Sequence, residues 1–335
     1  MGDAAMAVKG SIESEVLLDT GHTGPVTDAA VDAAGKRVAA CGEDGTIRIF
    51  ALDRERTSRW SLLVVLEGHT GPVVSVSWAP PPLYFSALLS CGEDCQVVLW
   101  SDLGPAEGWA KVYATTLASA PWCAAWAPAE YGKIFAVGCA SGAVMVFAGR
   151  DQQWSHTELS AHPSACCSLS WAPSLPPGTL LTVPLESELR GGSSSPPPPG
   201  GMPLAPPRIV TCGGERCVKV WTLCGEEWKP QELPVDVDAS WRVVAWSPSM
   251  GVPFTYIAAG SDEGFVVVWS QDGPARGEWN RMVLPQQEFG VTKLSWSLVG
   301  TFLLVSCANG TANMWQESAS SRGWERACVV APPMG

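Results

Sequence analysis

The sequence predicts an all-β chain wound into six four-stranded blades about one axis, a β-propeller. Three observations predict it. A phrase is written twice, LLDTGHTGPV at residues 17–26 and VVLEGHTGPV at 64–73, so that His22 and His69 stand 47 residues apart. A period in the forties with a Gly-His mark is the length of one propeller blade. Fifteen of the seventeen Trp fall at three recurring positions, which chance placement would not produce. A polar turn residue stands six positions before one of those three sites in every repeat.

Each repeat reads as four strands. The innermost ends at Val31, Trp78, Trp126, Trp171, Trp246 and Trp296; the third closes at Phe50, Trp100, Phe147, Trp221, Trp269 and Trp315. Trp60, Trp109, Trp154, Trp228, Trp279 and Trp324 open the outermost strands, leaving Trp122 and Trp241 on the approach to an inner strand. Large rings at fixed places fill the wedge between neighbouring blades. The turn residues are Asp44, Asp94, Ser141, Glu215, Glu263 and Asn309, with Gly following at 45, 142, 264 and 310, as tight hairpins want. β-branched runs such as Ile47–Ile49 and Val266–Val268 lie between turn and ring.

The blades are expected at about 21–68, 69–118, 119–160, 161–235, 236–287 and 288–330, within one domain of residues 15–335 after a disordered leader of residues 1–14. The step from Phe147 to Trp221 is 74 residues, against 46 to 50 elsewhere. The excess is the Pro/Gly/Ser-rich insertion 174–207, whose composition cannot bury enough surface to order itself. It reads as a surface loop, with a docking role for its proline run as the alternative.

In repeats of the WD type, a Gly-His histidine, a strand Ser or Thr, the turn Asp and the third-strand Trp form a buried hydrogen-bonded relay. The second blade matches with His69, Ser90, Asp94 and Trp100; the first keeps His22 and Asp44; the fourth keeps His162, Thr211 and Trp221 but has Glu215.

Composition excludes several functions. The formal charge of −12 argues against non-specific nucleic-acid binding and against docking on anionic lipid. No apolar run reaches the length of a membrane-spanning helix. The opening MGDAAMAVKGSIESE has no basic region followed by an apolar core, so the twelve Cys are expected to be reduced thiols. Three of the four His occupy the structural Gly-His place, and there is no Cys-x-x-Cys, phosphate loop or dinucleotide fingerprint. No catalytic residue, metal or cofactor is therefore expected, and no enzymatic activity.

Counting strands adds one more feature. All six repeats carry an outer strand of their own, so the stretch Val16–Thr20 before the first Gly-His is a seventh. A fourth strand without its inner three suggests an open ring, completed by about three strands from a partner, since bare edges and apolar blade faces invite aggregation. The alternative is that this leader frays or that Trp324–Val330 is a tail and the ring closes alone.

The phrases DAAGKRVAAC at residues 32–41, Trp78-Ala-Pro, WAPAEYG at residues 126–132, Trp246-Ser-Pro and the Phe289–Ser297 segment resemble the Sec-thirteen family over residues 15–330. The resemblance implies an open six-bladed propeller that receives its seventh blade in trans from an α-solenoid. It implies a structural subunit of the COPII vesicle outer coat beside a Sec-thirty-one-type cage subunit, in ER-to-Golgi transport. It also implies a place in the nuclear pore Y-complex with a solenoid nucleoporin and, in some organisms, in a GATOR-type nutrient-sensing complex. The corresponding locations are the cytoplasmic face of the endoplasmic reticulum, COPII vesicles and the nuclear envelope. The blade-receiving surface is expected at Val16, Leu18, Val26 and Val31 on one side, and Val291, Leu294, Trp296, Leu303 and Val305 on the other. The competing reading is a closed propeller acting as a peptide-reading adaptor through Trp122, Trp241 and the loop after Trp171.

Overall fold

The computed structural model describes residues 18–53, 59–82, 86–150, 153–175, 177, 204–248, 252–272, 277–318 and 323–330. Among the described residues, twenty-four strands form six antiparallel sheets of four. Blade 1 is β1 (Val26–Val31), β2 (Arg37–Gly42), β3 (Thr46–Asp53) and β4 (Arg59–Glu67); blade 2 is β5 (Val73–Trp78), β6 (Ala87–Gly92), β7 (Gln96–Asp102) and β8 (Trp109–Thr116). Blade 3 is β9 (Pro121–Trp126), β10 (Ile134–Cys139), β11 (Ala143–Arg150) and β12 (Gln153–Ser160). Blade 4 is β13 (Cys166–Trp171), β14 (Arg208–Gly213), β15 (Val218–Cys224) and β16 (Glu227–Glu232). Blade 5 is β17 (Trp241–Trp246), β18 (Phe254–Ser261), β19 (Val266–Asp272) and β20 (Asn280–Val283). Blade 6 is β21 (Val291–Trp296), β22 (Phe302–Cys307), β23 (Ala312–Glu317) and β24 (Trp324–Val330). Among the described residues no helix is long and apolar enough to cross a membrane.

Every sheet is a meander in chain order, its neighbouring strands joined by short connections except β13 and β14, between which the 174–207 insertion falls. In every blade but the fourth, the turn between second and third strands holds one residue in the left-handed conformation. Gly142 takes it at φ +84°, where a Cβ would lie 2.0 Å from the His162 carbonyl oxygen, and no other residue fits. In blade 2 Cys95 adopts φ 61° in the same place, the turn being held by the Asp94 carboxylate accepting from the Gln96 amide at 3.0 Å.

The core lies between blades. Five apolar clusters fill the five junctions from blade 1–2 to blade 5–6. The inner strands pack pairwise at those junctions, β1 on β5, β5 on β9, β9 on β13, β13 on β17 and β17 on β21. Several of the inner-strand Trp stitch one blade to the one before it. Trp78 Nε1 donates to the Ala30 carbonyl at 3.0 Å, Trp171 Nε1 to Ala125 at 3.1 Å and Trp296 Nε1 to Ala245 at 3.1 Å.

Among the described residues, β21 and β1 have no comparable packing. The contact recorded between them is an ion pair, Lys293 Nζ to Asp28 Oδ1 at 2.6 Å. Val16 and Leu17 of the expected seventh outer strand lie outside the described residues, and residues 18–20 belong to no strand. Instead Asp19 Oδ1 caps the Gly21 amide at 2.9 Å in a local turn, and the Thr20 carbonyl accepts from Arg48 Nη1 at 3.1 Å. Residues 18–20 thus make local and side-chain contacts in place of a ladder.

Candidate functional site

In a ring of blades each sheet has one face toward the preceding blade and one toward the next. Strand pairing assigns the faces, because cross-strand partners share one. A bulge near the start of β1 shifts the register, so Val26, Ala29 and Val31 pair with Gly42, Ala40 and Val38 and fall on one face. Phe50 and Arg48 of β3 and Leu62 and Val65 of β4 continue it. This is the preceding-blade face of blade 1.

Its exposure breaks the pattern of the other blades. The residue at the place of Val26 is Val73, Pro121, Cys166, Trp241 or Val291 elsewhere, all buried, whereas Val26 is 44% exposed. Val31, in the place of the stitching Trp, is 61% exposed. Leu62 and Val65 are exposed as well, while Phe50 is buried on the same face.

The next-blade face of blade 6 mirrors this. In β6, β10, β14 and β18 nearly every residue is buried, so both faces are covered. In β22 burial alternates: Leu303, Val305 and Cys307 are buried, and Phe302, Leu304 and Ser306 are not. Met314 and Gln316 of β23 pair with Leu304 and Phe302 and extend the half-covered face. Among the described residues, ten of the fifteen exposed large apolar side chains belong to blades 1 and 6 and the turns of blade 6, which singles out this junction.

The residues expected on the blade 6 side are corrected accordingly. Val291, Leu294, Leu303 and Val305 are buried in the cluster shared with blade 5, and Trp296 packs partly buried against it, stacked on Tyr256 at 6.0 Å. They face blade 5 because they lie on the face that carries Val26, Ala29 and Val31 in blade 1, the preceding-blade face. On the other side Val26 and Val31 stand on the uncovered face, Leu18 is half-buried, and Val16 lies outside the described residues.

The relay residues meet in all three blades. In blade 2, His69 Nδ1 lies 3.0 Å from Asp94 Oδ1, its Nε2 lies 2.8 Å from Ser90 Oγ, and Trp100 Nε1 donates to the same hydroxyl at 2.9 Å. In blade 4, His162 reaches Glu215 at 2.6 Å and Thr211 at 2.9 Å, with Trp221 Nε1 donating to Thr211 at 3.2 Å. In blade 1, where Ala40 and Phe50 replace hydroxyl and indole, His22 Nδ1 lies 2.9 Å from Asp44, which also accepts from Thr46 Oγ1 at 2.8 Å. Burial pushes the pKa of His69 and His162 below the ordinary value, outweighing the opposing pull of their carboxylates. Burial raises the Asp94 carboxyl, but the Thr70 amide, His69 and the Gln96 amide hold it below the usual value. In blades 2 and 4 these are buried networks that favour the neutral imidazole.

His162, Glu215 and Cys217 place three ligand atoms within 4.8 Å of one another. Burial and then Glu215 push the Cys217 thiol up to about 12, and it donates to Glu215 Oε1 at 3.2 Å. Lys219 Nζ lies 3.5 Å from that oxygen. A protonated thiol and an ammonium beside the carboxylate oppose a cation. Trp241 is buried against Trp269 at 6.3 Å, so it offers no surface to a peptide; Trp122 is 44% exposed at the mouth of the central channel.

Repeated four-stranded sheets, Gly-His relays and a central channel define a WD-repeat propeller. The model of the WD domain, G-beta repeat, matches residues 15–50, 60–101 and 280–316. Over almost the whole chain the similarity is more specific. "Protein transport protein SEC13" of Mycosarcoma maydis is 31% identical, the match covering 95% of each chain. That of Aspergillus fumigatus is 34% identical over 89% of this chain and 94% of its own. "Protein SEC13 homolog" of Drosophila melanogaster is 30% identical over 92% and 82%. The chain belongs to the SEC13 family.

Proposed function

We propose that this chain is a non-catalytic scaffold subunit of the COPII vesicle outer coat. It accepts between blades 6 and 1 a blade contributed by an α-solenoid subunit of the Sec-thirty-one type. The observation that carries the reading is the pair of facing, half-covered sheet surfaces: Val26, Val31, Leu62 and Val65 on blade 1, and Phe302, Leu304 and Met314 on blade 6. A partner sheet laid between them continues the packing that fills the other five junctions. An insertion of that kind buries on the order of 2,000 Å² or more, the size of an obligate interface. The transport names of the fungal relatives support the coat assignment. A second site of work in the nuclear pore Y-complex, or a GATOR-type complex, would use the same receiving surface, since one slot fits any solenoid carrying a matching sheet.

The test is co-expression of the full chain with the N-terminal segment of a Sec-thirty-one-type subunit from the same organism. A stable one-to-one complex, weakened by Val31→Glu or Leu304→Glu and unaffected by an exposed charge reversal on blade 3, is the expected result. A soluble, monodisperse chain that ignores that segment would overturn the reading.

A further inference from the structure

Two thiols meet in the wall of the central channel. Cys123 on β9 and Cys166 on β13 belong to neighbouring blades, and Cys123 Sγ points at the Cys166 carbonyl at 3.8 Å. Opposite them Gly138 has no side chain, and a Cβ there would lie 2.7 Å from each sulfur. The two sulfurs are therefore no farther apart than twice that length. The missing methyl is what makes room for both. The pair differs in access: Cys166 is fully buried, whereas Cys123 is partly exposed and lines two channel cavities of about 710 Å³ and 450 Å³.

We propose that Cys123 and Cys166 form a peroxide-responsive dithiol site that closes to an inter-blade disulfide. Hydrogen peroxide entering the channel reaches Cys123, whose sulfur attacks one oxygen, breaking the O–O bond and giving Cys123 sulfenic acid and water. The Cys166 sulfur then attacks the sulfenic sulfur, displaces its hydroxyl and hands its own proton to it as a second water. Two thiols are oxidised by two electrons and one peroxide is reduced to two waters. The order of events follows from access, since a sealed thiol cannot meet the oxidant first but can resolve its neighbour. The Cys166 thiol is held in its protonated form, first by the Cys123 side chain and then by burial, so it is not the sulfur that reacts with peroxide first. The product ties β9 to β13 beside the axis and leaves the blade 6–1 junction free.

The test is peptide mapping of the full chain after graded peroxide and alkylation of the remaining thiols. Tryptic peptides 112–133 and 151–190 carry Cys123 and the Cys166–Cys167 pair, so an inter-blade bond joins two peptides that a Cys166–Cys167 bond leaves separate. The expected product is the joined pair, lighter by two hydrogens and separated again by dithiothreitol. Cys167→Ser retains it. Cys123→Ser abolishes it, and Cys166→Ser leaves a sulfenic acid at Cys123 that dimedone traps, both with unchanged circular dichroism. Separate peptides with Cys123 still open to alkylation, or a bond that survives Cys166→Ser, would overturn the proposal.

Discussion

Ser90 shows how much one hydroxyl can hold. It meets the ring of His69 and the indole N–H of Trp100 at once, in a site with no access to water. Ser90→Ala strands both groups and should cost about 1–3 kcal/mol for each polar atom left unpaired. Trp100→Phe removes the donor along with the bond and, apart from the lost ring, should cost roughly 1 kcal/mol in polar terms; urea unfolding measures both. The histidines set a pH dependence. Because the folded pKa of His69 and His162 lies below 6.5, the unfolded chain binds protons that the folded chain refuses. Stability is full above 6.5 and falls as pH drops from there through the folded values. Asp94 and Glu215, both held below their ordinary values, add a second loss at lower pH as they are protonated. The urea midpoint should decline between about pH 7 and pH 5, and His69→Gln with His162→Gln should flatten that slope whatever the absolute stability. A midpoint flat over that range in the unaltered chain would contradict the neutral-imidazole assignment.

Within a blade, the same kind of residue has opposite consequences on opposite faces. Leu303 is fully buried against blade 5, and Leu303→Ala should cost about 2–5 kcal/mol in the chain alone. Val31→Ala, on the uncovered face, should change that stability by no more than about 0.5 kcal/mol while weakening a complex with the inserted blade; thermal unfolding with and without the partner segment separates the two. The elements themselves were legible because each blade repeats its aromatic residues at fixed steps, and a repeated Trp is hard to place anywhere but a blade wedge. The relay residues follow the same periodicity, Ser90 and Thr211 each standing ten positions before a third-strand Trp. The face of blade 6 was not. The run FLLVSC in β22 is apolar at both parities, so alternation offers no preference between Leu303 with Val305 and Phe302 with Leu304. Choosing positions equivalent to Val26 and Val31 on both sides selects the preceding-blade face twice, and only the pairing with blade 5 reveals the error. Trp241 misleads in a related way: an aromatic outside the three periodic places looks free, yet it starts an inner strand and fills its own wedge at the place that Val73 and Val291 take in theirs.

At the scale of the ring, the question is what keeps blades 1 and 6 in place. Five junctions are held by apolar clusters and, at several of them, by indole stitches; the sixth has the Lys293–Asp28 pair. Lys293 is largely exposed, so water and salt screen that pair to about 0–1 kcal/mol, too little to stand in for a missing core. Apolar burial contributes roughly 25 cal/mol per Å², and a sheet covered on one face forgoes half of it. The terminal blades should therefore open locally at lower free energy than the middle ones, although their hydrogen-bond ladders are complete. Amide exchange of the full chain should show β1, β2, β22 and β23 exchanging well before β10 and β14. Adding the partner segment should slow exchange in blades 1 and 6 and leave blades 3 and 4 nearly unchanged. Uniform protection around the ring in the isolated chain would mean that blades 6 and 1 hold each other without help. Slowed exchange centred on Trp122 and the channel mouth would instead place the partner on the top face. The two outcomes fall in different peptides, so one exchange experiment decides between a slot that awaits a blade and a ring that closes alone.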